Sequence, residues 1–175
     1  MPINVEIKVK SLDVGARSKI RVILKEKGAE FLGIDNQTDT YFIVTNGRLK
    51  LRESNIENNL IFYERENQAS PKESKVILFE NNPTSPLKSI LEKSLEILVV
   101  VNKTREIYFI GNVRFHIDQV ADLGWFIEIE AIDHGGTIGK EKLYKQCREY
   151  MDLFGIAEED LIEKSYSDML LSLKT

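Results

Sequence analysis

The chain has 175 residues, 42% of them hydrophobic and 30% charged, a balance that excludes disordered and fibrous classes and predicts one domain over 1–175. Lys and Arg number 24 against 28 Asp and Glu, a formal charge of −4 that argues against a nucleic-acid coat or a basic membrane arm. The single Cys147 excludes an intramolecular disulfide framework and a Cys-rich zinc site.

The N-terminal residues alternate from the start: Ile3, Val5, Ile7 and Val9 share one face of a strand, Asn4, Glu6, Lys8 and Lys10 the other. No basic region leads into a long apolar run, and the most apolar stretch, Leu95–Val101, contains Glu96 and is far short of a membrane span, so a cytoplasmic protein with no membrane partner is expected. Asp13 caps a predicted helix whose Ala16, Ile20, Ile23 and Leu24 share a face and which ends before Gly28. Thr38–Val44 and Arg48–Glu53 read as a hairpin through Asn46-Gly47, a pair able to adopt the positive φ of a tight turn. Leu60–Arg65 and Ser74–Phe79 follow as strands, with Asn67–Ser74 and Asn81–Thr84 as exposed loops. Ser85-Pro86 opens a helix whose stripe runs from Leu87 to Leu98. Val99–Phe109, Asn112–Gln119 and Trp125–Ala131 are further strands. Leu143, Cys147, Tyr150, Met151 and Phe154 mark a third helix, with Cys147 a small core residue, and Ile162 to Leu173 a fourth, opened by Glu158-Glu159-Asp160.

Sequential strands with segregated helices predict an α+β fold on an antiparallel sheet. Its polar face is unusual. Arg48, Lys50 and Arg52 alternate with Leu49 and Leu51; Arg114, His116 and Asp118 alternate with Val113, Phe115 and Ile117; Glu128 and Glu130 alternate with Ile127 and Ile129. The apolar helix stripes need the apolar sheet face, so the polar side can curl into a barrel with a charged interior. Such an interior needs compensation, because buried like charges repel and lose their hydration. A triphosphate compensates the cations, and Mg²⁺ or Mn²⁺ would reconcile it with the carboxylates through hard oxygen ligands.

The Asn4-Val-Glu6-Ile-Lys8 segment resembles the Glu-x-Glu-x-Lys signature of the CYTH superfamily, which includes class IV adenylate cyclases, thiamine triphosphatases and inorganic triphosphatases. The resemblance continues in order through Gln37-Thr-Asp-Thr-Tyr-Phe42, Gly47-Arg-Leu-Lys-Leu-Arg-Glu53, Tyr63-Glu-Arg65, Val113-Arg-Phe-His-Ile-Asp-Gln-Val120, Leu123-Gly-Trp-Phe126 and Glu128-Ile-Glu130. Lys164-Ser-Tyr-Ser-Asp168 is similar to the class IV cyclase-like branch. The resemblance implies an eight-stranded antiparallel barrel, the triphosphate tunnel, with helices packed outside. It implies Lys8, Lys50, Arg52, Arg65, Lys75, Lys103, Arg105 and Arg114 as phosphate-holding residues. Glu6, Glu128 and Glu130 would hold Mg²⁺ or Mn²⁺ with Asp118 as helper, and Glu6, Lys8, Glu128 and Glu130 would form the catalytic set. The signature's first Glu is replaced here by Asn4, which removes one negative charge from the metal end.

His116 reads as a general base, a substrate contact or a hydrogen-bonded wall residue, and His134 as a loop residue. Gly135-Gly136 lacks the Gly-Lys-Ser/Thr of a phosphate loop and reads as a turn. Of Trp125 and Phe126, one could stack a base while the other faces the outer core; Asp39 and Tyr41 are placed near a tunnel mouth without a role. Two reactions share such a site. A cyclase directs the ribose 3′-oxygen of ATP at the α-phosphorus; a triphosphatase directs water at the terminal phosphorus of ATP, thiamine triphosphate or tripolyphosphate. The alternative is a non-catalytic polyphosphate- or nucleotide-binding module, and the assembly is expected to be a monomer or homodimer.

Overall fold

In the computed structural model the described residues are 2–11, 13–65 and 71–175. Their order is β1 (Ile3–Lys10), α1 (Val14–Glu26), β2 (Glu30–Phe42), β3 (Arg48–Glu53), β4 (Asn59–Arg65), β5 (Lys72–Glu80), α2 (Leu87–Ser94), β6 (Ile97–Ile110), β7 (Val113–Val120), β8 (Gly124–Asp133), α3 (Lys140–Leu153) and α4 (Tyr166–Leu173). The strands close into an antiparallel barrel in the order β1-β5-β4-β3-β2-β6-β7-β8. Ring closure comes from β1 pairing with both β5 and β8, Glu6 standing opposite Glu130 and Lys8 opposite Glu128. Closure removes the exposed sheet edges that an open sheet of this size would carry.

Period-2 alternation assigns each strand an outer and an inner face. The outer faces of β1, β7 and β8 present Val5, Ile7, Val113, Phe115, Ile117, Ile127 and Ile129, and α1 and α3 cover them with Ile20, Leu24, Leu143, Cys147 and Met151. Burying side chains of this size stabilises by about 1.5–3 kcal/mol each. Cys147 is fully buried there, its thiol directed at the Val5 carbonyl at 3.2 Å, as a core residue. A smaller cluster, Leu51 with Leu91, Leu49 and Leu87, seats α2 on the outside of β3. Among the described residues no helix is long and apolar enough to cross a membrane.

α4 plays a different part. Its Tyr166 and Leu170 pack on inward-facing Tyr41, Tyr63, Val99, Val101 and Phe126, so the helix lies across one end of the barrel and closes it. Arg48 on β3 holds it there, reaching Ser165 at 2.8 Å and both oxygens of Asp168 at 3.0 and 3.1 Å. Ser165 and Asp168 also form a reciprocal capping box at the helix start. An Asp168→Ala variant is therefore expected to lose about 1–2 kcal/mol in urea unfolding, the worth of a helix cap.

Several boundaries differ from the sequence expectation. The fourth helix starts at Tyr166, not Ile162: Glu158–Asp160 form a 3₁₀ turn, and the next residues pair with β1, the Ile162 amide donating to the Lys8 carbonyl at 2.8 Å. The second helix stops at Ser94 because Leu98, the last member of the stripe, belongs to the long strand β6. The β2–β3 connection spans Ile43 to Gly47 rather than a two-residue turn. Gly47 nevertheless has φ +60°, and a Cβ there would meet the Phe62 ring at 2.6 Å, so only glycine fits. Of the expected loop Asn67–Ser74, residues 67–70 lie outside the described residues, while Lys72–Ser74 belong to β5.

Candidate active site

The inner faces of the strands enclose a cavity of about 300 Å³ between the α4 end and an open end near Pro2, Leu78 and His134. Seven Lys and Arg side chains line it (Lys8, Lys50, Arg52, Arg65, Lys103, Arg105 and Arg114) together with Glu6, Glu57, Glu128 and Glu130. Strand alternation explains the gathering: residues two apart on a strand share a face, and the closed ring turns all these faces toward one axis.

Two buried aspartates organise the cations from behind. Asp39, 1% exposed, accepts from Arg52 Nε and Nη2 at 2.8 Å each, from Lys103 Nζ at 2.8 Å and from Lys50 Nζ at 3.3 Å. Burial alone would push its carboxyl up, but Arg52, Lys103 and Lys50 together hold it well below the usual 3.8. Asp118 is fully buried and takes both arms of Arg105 at 2.7 Å, with the Tyr166 hydroxyl donating to it at 2.7 Å. These contacts fix the guanidinium planes of Arg52 and Arg105, which line the cavity.

The remaining carboxylates face the cavity. Glu128 lies 3.8 Å from Lys8 and 3.5 Å from both Arg105 and His116 Nδ1. Glu6 is paired with Arg65, and Glu130 accepts from the Asn4 amide at 2.7 Å. Glu130 is pushed up first by burial and then by its neighbours Glu6 and Glu128, with Arg114 opposing. Burial, with Arg105 and Arg114 adding to it, drives His116 down to about 4, so the ring is neutral at pH 7. Burial likewise lowers Lys103 to about 7, against the pull of Asp39. Four buried polar atoms of this set have no hydrogen-bond partner among the described residues: Arg65 Nε, Arg114 Nε, His116 Nε2 and Asn4 Oδ1. Unsatisfied buried donors and acceptors are costly, and here they collect around one cavity.

Glu6, Lys8, Lys50, Arg52, Arg65, Lys103, Arg105, Arg114, His116, Glu128 and Glu130 thus meet at one cavity. Two expected residues do not. Lys75 is exposed on the outer face of β5, because the register pairs it with Ile3 and sets Lys72 and Ser74 inward instead. Asp118 does not line the cavity: it lies behind the wall, where Arg105 and Tyr166 hold its oxygens. Phe126 points inward, its ring 5.0 Å from that of Tyr166, whereas Trp125 packs on the Arg17 guanidinium at 4.3 Å.

Sequence reasoning missed Lys72, Glu57 and Tyr166 and gave Asp39 no role. Lys72 is buried, reaching the Glu163 carbonyl, and burial followed by Arg65 and Lys8 lowers it to about 8. Asp39 was readable, since Asp35, Gln37, Asp39 and Tyr41 form an inward row on β2. Glu57 sits in a loop, where no periodicity marks it.

The CYTH domain family model matches residues 2–166. A Methanocaldococcus jannaschii protein named "Putative adenylate cyclase" is 28% identical, covering 95% of this chain and 98% of its own length. The PH1012 protein of Pyrococcus horikoshii OT3 superposes with a TM-score of 0.74 at 25% identity, covering 94% of this chain and 98% of that one. A Vibrio parahaemolyticus structure described as a "putative adenylate cyclase" gives 0.71 at 20% identity over 97% of this chain and 98% of its own, a likeness of fold. With the match running from Pro2 to Tyr166, through every strand of the barrel, this chain belongs to the CYTH domain family.

Proposed function

We propose that the chain is an enzyme that binds the phosphate chain of a nucleoside or other organic triphosphate in the barrel cavity and catalyses displacement at phosphorus. The observation that carries this reading is the convergence of seven Lys and Arg side chains on one cavity, with the Arg65 and Arg114 Nε atoms left without partners among the described residues. Guanidinium forks match phosphate oxygens in bidentate fashion, and ammonium groups add point charge. The name of the Methanocaldococcus relative, carried at 28% identity, favours the class IV adenylate cyclase-like form: attack of the ribose 3′-oxygen on the α-phosphorus of ATP with loss of pyrophosphate. The same cavity suits a triphosphatase if water meets the terminal phosphorus instead.

The oxygen donors fit a divalent cation. Glu6 and Glu130 stand opposite each other across β1 and β8, and the Asn4 carbonyl oxygen beside them is unpartnered. Among the described residues no three His, Cys, Asp or Glu groups are already gathered around one point, so Glu6 would exchange Arg65, and Glu130 would exchange Asn4, on loading. Glu6, Glu130 and Glu128 would hold Mg²⁺ or Mn²⁺, which supplies charge stabilisation at the phosphoryl oxygens. Arg52 and Arg105, held from behind by Asp39 and Asp118, orient the phosphates and neutralise charge that develops on them. Neutral His116 offers its free Nε2 to the cavity, where it can accept a hydrogen bond.

The purified protein should be incubated with ATP, thiamine triphosphate and tripolyphosphate in Mg²⁺ or Mn²⁺ and the products identified. Cyclic AMP with pyrophosphate supports the cyclase; orthophosphate supports the triphosphatase. Binding without turnover under every condition supports the binding-module reading, which the amide at position 4 favours. For an active enzyme, Glu130→Gln is expected to lower turnover by about 10²–10³-fold while tripolyphosphate binding without metal is retained, the scale of losing one charge-stabilising group.

A further inference from the structure

Among the described carboxylates lining the cavity, Glu57 is the only one not carried by a strand. It comes from the loop between β3 and β4 and enters near the open end, where it is paired with Arg114, lies 3.3 Å from Arg52 Nη1, and takes a long 3.4 Å contact from Gln37 Nε2. Burial would raise its carboxyl, yet Arg114 and Arg52 bring it down to about 2, so it is anionic at every working pH. The loop backbone is pinned independently of this carboxylate. Asp35, fully buried, accepts from the Ile56 amide at 2.8 Å and the Ser54 hydroxyl at 2.9 Å, and Ser54 Oγ accepts from the Glu57 amide at 2.8 Å. The side chain can therefore swing while its loop stays in place.

We propose that Glu57 is a resident competing anion: in the empty protein its carboxylate fills a phosphate subsite made by Arg52 and Arg114, and a polyphosphate chain must replace it to bind fully. Charge balance supports this. Among the described residues the cavity is lined by seven cations and four carboxylates, so cations predominate in its wall. A triphosphate brings about four negative charges near neutral pH. Withdrawal of Glu57 adds one more positive charge to the wall that the phosphate chain meets. Glu57 thereby sets affinity at the mouth, and it favours ligands whose phosphate chain is long enough to reach Arg114.

The inference rests on the triphosphate reading, and the experiment separates the two. Wild type and Glu57→Gln are titrated with tripolyphosphate by calorimetry in EDTA, where metal-dependent turnover is blocked, and their melting temperatures are recorded empty and loaded. The variant is expected to bind at least about tenfold more tightly, as loss of a competing charge in a desolvated site requires. It should also melt lower when empty, because two guanidinium groups lose their counter-ion, and show the larger ligand-induced rise. Equal or weaker binding by Glu57→Gln overturns the proposal while leaving the triphosphate reading intact. Failure of both proteins to bind sinks that reading and this proposal with it. A crystal structure of wild type with tripolyphosphate gives an answer that needs no variant: Glu57 displaced from Arg114 agrees, and Glu57 still seated on it beside the bound ligand refutes.

Discussion

Asp39→Asn is expected to be the most destabilising single change in the barrel wall, lowering unfolding free energy by about 3–5 kcal/mol at pH 7, the cost of removing one partner from a buried ion pair. Asn is nearly the same shape, so the loss isolates charge. Without the carboxylate, Arg52, Lys103 and Lys50 face one another with no counter-ion in a region where Asp39 is 1% and Lys103 6% exposed. For a chain this long, a melting-temperature drop of roughly 6–20 °C follows. The effect has a definite pH signature. Arg52, Lys103 and Lys50 hold the folded-state carboxyl well below its ordinary 3.8 despite burial, so its stabilisation is complete above that value and disappears as pH falls through the depressed one. The gap between wild type and Asp39→Asn should accordingly be full at pH 7 and narrow steadily below about pH 4. Urea titrations of both proteins at pH 7, 4 and 3 read this directly. Added tripolyphosphate should recover more stability in the variant than in wild type, because it restores negative charge beside the orphaned cations. A gap below about 1 kcal/mol at pH 7 would show that solvent already screens this cluster.

The same cluster shows what a sequence can and cannot reveal. Alternation on β1, β3, β7 and β8 placed Glu6, Lys8, Lys50, Arg52, Arg114, His116, Glu128 and Glu130 on inward faces correctly, because period 2 is a backbone property that needs no tertiary information. Lys75 failed because β5 is apolar at Val76, Ile77, Leu78 and Phe79 alike, so its alternation carries no phase; only pairing with β1 and β4 fixes which side faces in. The start of α4 failed because Ile162 lies on a helical stripe by spacing but is captured by the Lys8 carbonyl, a long-range contact that outweighs local periodicity. Asp118 was placed on the correct face, but alternation did not show that it grips Arg105 behind the cavity wall. Which of two inward carboxylates grips an arginine and which stays open depends on depth in the barrel, and depth is set by the stagger of the strands. Glu57 had no signal, since its position depends on loop geometry organised by Asp35, 22 residues earlier.

Triphosphate affinity is expected to fall steeply between pH 7 and 9, opposite in sign to the stability of the empty protein. Burial lowers Lys103 to about 7 against the attraction of Asp39, with Arg52, Arg105 and Lys50 lowering it further, and Lys72 stands at about 8 for similar reasons. In the empty fold both lysines sit below their unfolded value of 10.5, so the unfolded chain binds more protons and their contribution to stability rises with pH above about 7. A bound phosphate chain reverses this, because it attracts the ammonium form and raises both values. Binding at pH 8 should then take up about 0.9 proton at Lys103 and about 0.5 at Lys72, seen as a difference in calorimetric heat between buffers of unlike ionisation enthalpy. If only the protonated form of Lys103 binds well, its protonated fraction alone predicts a loss of roughly 50-fold from pH 7 to pH 9, a ceiling that residual affinity of the neutral form reduces. Lys103→Met removes the titrating group: its affinity should be lower than wild type at pH 7 and should vary far less up to pH 9. A wild-type affinity flat across that range, with no proton uptake, would mean that Lys103 stays protonated in the empty barrel and that Asp39, at 2.8 Å, outweighs the burial that depresses it.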